Sequence, residues 1–233
     1  MRVAGIPLGV LRKKASQGAD PNLTLALLHF DTDFSDSSIY TRSFVSLDGT
    51  PSVSATQSKF GGKSLYLNGT SSIKTPDNAN LHIGSSDFTF EFWLYLPTIP
   101  SSNMGVFSKR SNGGTNVDYY CYVDVVGRVQ FGFSTNGTSP TNTLASVNPI
   151  PTAQFVHIAI VRNVNVSKVY VNGVGDGTGL VVGTCFDGVA DLIIGALNPP
   201  IGLPLTGYID EFRIRKGAEY TSNFTPPTAP FTY

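Results

Sequence analysis

The sequence predicts an all-β chain folded as an antiparallel β-sandwich, and three observations carry that prediction. The first is strict alternation over residues 87–96, where Phe88, Phe90, Phe92, Leu94 and Leu96 alternate with Thr89, Glu91, Trp93 and Tyr95; period two over ten residues is a strand, and the aromatic residues on both sets of positions make it a central one. The second is punctuation: 24 Gly and 15 Pro recur between apolar runs, and turn signals every eight to twelve residues are the mark of a sandwich or barrel. The third is the scarcity of helix formers, since Glu91, Glu211 and Glu219 are the only glutamates in 233 residues and no segment offers an amphipathic helical stripe.

Taken in order, residues 1–22 hold a Gly/Pro-broken apolar stretch and then a basic cluster. They read either as a disordered tail or as an arm that orders on a partner, with Ile6, Leu8, Val10 and Leu11 as anchors. Strands are predicted at 23–30, 64–68, 87–96, 104–109, 119–125, 128–133, 155–162, 168–171, 189–194 and 207–215. Asn172-Gly173, after Val169-Tyr170-Val171, signals a tight hairpin, because a type I′ turn needs positive φ at both central positions. Beyond Lys216 the chain turns irregular, with Ala218, Tyr220, Phe224, Pro226-Pro227 and Pro230-Phe231. Such a tail either packs across its own sandwich or reaches a neighbour. The organisation expected is an arm (1–22), one sandwich (23–216) and a Pro-rich tail (217–233), a length that suits a single β domain.

Charged residues make up only 14% of the chain, against roughly 25% in an average soluble protein. Net charge is zero, but Arg2, Arg12, Lys13 and Lys14 precede the first acidic residue, Asp20. Sixteen basic residues less these four leave twelve against sixteen acidic ones, so a slightly acidic body carries a basic arm. That body excludes nucleic acid as a general partner. No apolar run approaches the roughly 20 residues of a membrane helix, and the stretch 3–11, broken by Gly5, Pro7 and Gly9 and followed by Arg12-Lys13-Lys14, lacks the form of a secretion signal. Cys121 and Cys185 read as small buried hydrophobes, with a bridge between them as the alternative. Five sequons, at Asn22, Asn68, Asn136, Asn165 and Asn223, are read as products of composition, with Asn68-Gly69 and Asn136-Gly137 as turns.

Several blocks then carry a family resemblance. Leu27-Leu28-His29-Phe30-Asp31 with Asp36-Ser37-Ser38, Gly62 to Gly69, Phe88-Thr89-Phe90-Glu91-Phe92-Trp93, His157 to Arg162, Val169-Tyr170-Val171-Asn172-Gly173 and Gly207 to Ile214 stand in the order and spacing of laminin G-like, concanavalin A-like domains. The chain resembles that superfamily over roughly residues 23–216. The stretch from Gly207 to Phe231 is also similar to copies in tailed-phage virion proteins. The resemblance implies a jelly-roll of two antiparallel sheets, but not one function, because lectins, glycosidases, adhesion modules and capsid decorations share it. The arm is a departure from ordinary members.

Catalytic chemistry is sought and not found. Glycosidases need two carboxylates about 5 to 9.5 Å apart, and the Glu-x-Asp-x-x-Glu run that the resemblance would supply in a glucanase does not occur around Glu91 or Glu211. His29, His82 and His157 are dispersed and share no zinc-like spacing with the cysteines. Alternate glycines at 173, 175, 177 and 179 follow a hairpin with no helix behind them, so a phosphate cradle is not expected. Calcium, which wants six to eight oxygens, is the one metal with a candidate set: Asp31, Asp33 and Asp36 cluster, and the resemblance brings Asp210 near them. The competing reading has Asp36 capping a turn while Asp31 and Asp33 face solvent. Trp93, Tyr119, Tyr120 and Tyr122 are the candidates by type for stacking on sugar.

The expected function is therefore a non-enzymatic virion structural protein of a tailed phage, a capsid decoration or tail/fibre component made in the host cytoplasm and exposed on the virion surface. Its partners would be other capsid or tail proteins and copies of itself, with no nucleic acid and no membrane. Arg2, Ile6, Leu8, Leu11, Arg12, Lys13 and Lys14 would form the assembly arm. The alternative is an adhesin binding host surface glycan, and the third reading is a polysaccharide-degrading enzyme.

Overall fold

A computed structural model describes residues 20–111, 115–180, 182–197 and 202–233. The assembly-arm residues Arg2, Ile6, Leu8, Leu11, Arg12, Lys13 and Lys14 lie outside the described residues. Among these, fifteen strands and two single 3₁₀ turns follow one another: β1 (Thr24–Leu28), β2 (Val45–Asp48), β3 (Ser52–Ser54), β4 (Ser64–Asn68), β5 (Ser72–Thr75), β6 (Phe88–Tyr95), β7 (Met104–Lys109), β8 (Val117–Val123), β9 (Val129–Gly137), β10 (Asn142–Ala145), β11 (Phe155–Asn163), β12 (Val166–Val171), β13 (Val174–Leu180), β14 (Leu192–Ile194) and β15 (Thr206–Lys216).

They form two sheets in which every pairing is antiparallel. The first runs β13-β12-β11-β6-β15-β4-β3, with β1 also paired to β15; the second runs β10-β9-β8-β7-β14-β5-β2. The alternation in 87–96 has the predicted outcome. Phe88, Phe90, Phe92 and Leu94 point between the sheets and are fully buried. Phe90 stacks on Phe107 of the opposite sheet at 5.1 Å between centroids and tilts against Tyr119 at 4.9 Å. Each such ring removed from water contributes on the order of 1.5–3 kcal/mol. β6 lies between β11 and β15, the central place expected for it.

The sequence leaves β2, β3, β5, β10 and β13 unread. Four of these are three- or four-residue pieces rich in Ser and Thr, too short to show a period. The fifth, β13, contains the alternate glycines. They do not cradle an anion: β13 crosses edge strand β10 so closely that a Cβ at Gly177 would lie 2.0 Å from the Ala145 carbonyl oxygen, and Asp176 O accepts from Val147 N at 2.6 Å. The glycines let the first sheet fold over the edge of the second. The hairpin at Asn172-Gly173 has φ of 49° and 77°, as its turn type demands. Cys121 and Cys185 are both free and buried, with burial holding both thiols well above the ordinary thiol range.

The tail folds onto its own domain. It leaves β15 and crosses the outer face of the first sheet: Tyr220 and Phe224 pack on Ala159, Val161 and Tyr170, and Phe231 packs on Leu27 and Trp93. Backbone ties hold it there, from Glu219 N to Thr89 Oγ1 (3.0 Å), from Phe224 N to Gly173 O (2.9 Å) and from Phe231 N to Glu211 Oε2 (2.8 Å).

Candidate functional site

The outer positions of β6 and its neighbours carry most of the ionisable groups of the first sheet. Glu91, opposite Ala159 on β11 and Arg213 on β15, is fully buried. Arg213 Nε donates to its Oε1 at 2.8 Å, the Tyr220 hydroxyl donates to its Oε2 at 2.9 Å, and the His157 ring brings Nε2 to 3.3 Å. Burial works against ionisation, but His157 and Arg213 outweigh it and hold the carboxyl below the usual glutamate value. Arg213 also donates to the main-chain oxygen of Thr232. The strap of 217–233 thus closes over a carboxylate that is already saturated.

A second group of carboxylates meets where β1 ends and β15 bulges. The register slips between Asp210 and Arg213, and Glu211 takes φ of 52°, in the left-handed region that a residue with a Cβ enters only under constraint. Phe30, two residues past the end of β1, has φ of 62°. Glu211 is fully buried and spent: both its oxygens face His29 Nδ1 at 2.9 Å, and Phe231 N donates to Oε2. That bond to Glu211 raises the His29 pKa above its ordinary value, against the effect of burial. Asp210 accepts from Lys59 N (2.7 Å) and Phe60 N (3.1 Å) through Oδ2. Burial pushes its carboxyl up to about 7, with the charges of Glu211 and Asp31 adding to the effect.

The four aspartates proposed for calcium therefore part company. Asp36 belongs to the fold: Oδ1 accepts from Leu27 N and Ser38 N, and Oδ2 pairs with Arg42 at 2.9 Å. Asp33 is exposed and caps its own turn through Ser35 N at 2.8 Å. Asp31 lies near enough to Asp210 for its charge to act there, and each has an Oδ1 that is buried and lacks a hydrogen-bond partner. Asp31 fills the space that a side chain at position 61 would take, a Cβ on Gly61 falling 1.6 Å from its Oδ1. Among the described residues no group of three or more His, Cys, Asp or Glu side chains converges as a metal site. The donor set that fits a hard cation is thus two carboxylate oxygens, with carbonyls and water needed for the remainder. Beside it opens a concavity of about 390 Å³ lined by His29, Asp31, Thr32 and Asp33.

The aromatic residues singled out by type are mostly covered. Tyr119 lies in the core with its hydroxyl donating to Leu81 O (3.1 Å), and Tyr120 is buried beside Leu197. Trp93 is 4% exposed, closed in by Phe231, Phe60 and the Lys59 ammonium 3.9 Å above its ring. Tyr122 is half-buried on the second sheet, stacked on Tyr120. Four other rings form a row on the first sheet: Tyr66 (β4), Tyr208 (β15), Tyr95 (β6) and Phe155 (β11), each directly opposite the next and each half-buried. Only Tyr95 could have been found in advance, because the alternation of 87–96 puts it on the face opposite the phenylalanines. The others depend on strand register, which no single segment encodes.

Comparison with known proteins agrees with this architecture. Residues 67–219 match the family model described as the concanavalin A-like lectin/glucanases superfamily. No curated protein sequence matches the chain. Among solved structures, the binding domain of Paraclostridial Mosquitocidal Protein 1 superposes with a TM-score of 0.66 at 15% identity over 86% of this chain. The binding domain of botulinum neurotoxin serotype C1 does so with 0.65 at 12% identity over 86%. This chain spans 50% of the length of each of those two. Domain 4 of AbnA, a GH43 extracellular arabinanase from Geobacillus stearothermophilus solved with arabinotriose, superposes with 0.61 at 24% identity, covering 84% of this chain and 93% of that one. At these identities the superpositions establish the fold alone. The family match covers well over half of the 233 residues, and the chain belongs to the concanavalin A-like lectin/glucanase superfamily.

Proposed function

We propose that this chain is a non-catalytic, lectin-like binding module that recognises carbohydrate and is carried on the particle of a tailed phage as a capsid decoration or tail component. The observation that carries the non-catalytic half is the fate of Glu91 and Glu211. Acid–base hydrolysis needs carboxylates that reach the substrate, and both of these are fully buried and saturated by Arg213, Tyr220, His29 and the strap. Superposition on a domain solved with arabinotriose and on two toxin binding domains supports recognition as the role. The virion half rests on the similarity of the block from Gly207 to Phe231 to tailed-phage copies and on the basic, apolar arm. In that setting copies would self-associate, and weak contacts would multiply through avidity. Asp31 and Asp210 would hold a stabilising calcium ion, a role in stability and not in chemistry.

Two measurements test the reading. The purified chain on an array of polysaccharides is expected to bind without releasing reducing ends; no binding, or hydrolysis lost in Glu91→Gln, overturns it. Deleting residues 1–20 is expected to abolish incorporation into particles while leaving the sandwich folded. Unchanged incorporation overturns the assembly role of Arg2, Ile6, Leu8, Leu11, Arg12, Lys13 and Lys14.

A further inference from the structure

We infer that the row Tyr66, Tyr208, Tyr95 and Phe155 is the stacking surface for a neutral glycan chain that lies across the strands, an inference that rests on the carbohydrate-binding reading above. Four adjacent strands contribute one ring each, through three successive cross-strand pairs. Neighbouring centroids lie 5.0, 5.6 and 5.6 Å apart. Three inter-strand steps of about 4.8 Å make a ledge of roughly 14 Å, the length of a short oligosaccharide. Much of the rest of this outer face is covered. The strap and the loop before β4 cover Trp93, Glu91, His157 and Tyr170 with Phe231, Tyr220, Phe224, Phe60 and Lys59.

The chemistry of the ledge selects its occupant. Successive rings are tilted by 36°, 90° and 63°, so faces and edges alternate and no flat aromatic ligand could cover them together. A chain of puckered sugars, apolar on its C–H faces and polar at its rim, suits such a surface. The neighbouring groups on the same side are hydroxyls and an amide. Ser52 pairs with Tyr66, and Thr206 pairs with Asn68. The row itself carries no charged side chain; beside it Asp210 is buried under two backbone N–H groups and the Lys59 ammonium lies 3.9 Å above the Trp93 ring, so the surface offers ring faces and hydroxyls first, as a neutral chain requires.

The test is titration calorimetry of the full chain with its best neutral hit from a mixed neutral and acidic glycan array. Tyr208→Ala is expected to weaken binding about tenfold or more, the factor that one lost stacking contact carries. Tyr208→Phe, which keeps the ring, is expected to retain binding, and Tyr122→Ala on the other sheet to leave it unchanged. Tyr66→Ala, at the end of the row, carries the same test if Tyr208→Ala does not fold. A folded Tyr208→Ala or Tyr66→Ala that binds normally, or a wild-type chain that takes only acidic glycans, overturns the row and leaves carbohydrate binding standing. A wild-type chain that binds no glycan overturns both.

Discussion

Replacing Glu91 with Gln isolates the buried network beneath the strap. The change keeps the shape of the side chain but removes the charge that balances Arg213, which is 6% exposed. Breaking one partner out of a buried ion pair costs about 3–5 kcal/mol. The lower end applies here, because an amide oxygen can still accept from Arg213 and the Glu219 carboxylate stands 3.8 Å from the same guanidinium. Unfolding entropy of about 2.1 cal/mol/K per residue gives about 0.5 kcal/mol/K for 233 residues, so a loss of about 3 kcal/mol lowers the melting temperature by about 6 °C near pH 7. The sign with pH follows from the depressed folded-state pKa of Glu91. Its contribution is present above the unfolded glutamate value of about 4.3 and is lost as pH falls through the lower folded value. Calorimetric melts of both proteins, taken from neutral down to acid pH, should therefore converge at the acid end. A neutral-pH difference under about 2 °C, or a gap that widens in acid, would refute the claim that ionised Glu91 holds Arg213, Tyr220 and the strap.

Phe231→Ala removes the plug over Trp93 and should cost about 3 kcal/mol; since Trp93 is the only tryptophan, its emission should move to the red and become open to acrylamide, and an unshifted spectrum would show that Phe231 does not anchor the strap. Lys109 is fully buried with Asp77 and Asp118, each at 2.7 Å, so Lys109→Met should destabilise by about 3–5 kcal/mol near pH 7. Burial pushes Asp118 up to about 6, so below that pH the protonated carboxyl no longer needs its cation and the loss should shrink; a loss independent of pH in chemical denaturation would contradict this. Calcium at about a hundred times its dissociation constant should add about 2.7 kcal/mol, an upward shift of roughly 5 °C on the same entropy scale. That shift should vanish in Asp210→Asn, and a wild-type melt identical in calcium and in chelator would end the case for the ion.

The central strand, the Asn172-Gly173 hairpin and the closing strand were legible in the sequence because each signal is local: alternation, turn chemistry, a long aromatic run. The edges were not. β3 and β10 pair with strands close in the chain, β4 and β9, but are too short to show a period, and the glycines of β13 gain a purpose only from the approach of Ala145. The site was legible in part for the same reason. Asp31 lies near enough to Asp210 for its charge to act there and shares a concavity with Asp33, whereas Asp36 is held by Arg42 and the Leu27 amide. The stacking row was illegible because its four rings come from segments as far apart as Tyr66 and Tyr208.

The strap changes how the block from Gly207 to Phe231 should be read. In the structure that block is one strand and its own cover: Asp210 anchors the loop before β4, Glu211 holds His29 and Phe231, and Arg213 binds Glu91 and Thr232. Each of these residues is required by a buried contact within this domain. Other members that close the same sheet with the same strap would need the same residues, whatever particle or cell they serve. Among the described residues, a feature that these buried contacts do not consume is the open half of the sheet with its uncharged row of rings. A face sealed at one end and open at the other places any ligand beside the strap, with Phe155, which touches the Phe231 cluster, as the ring that joins the two halves.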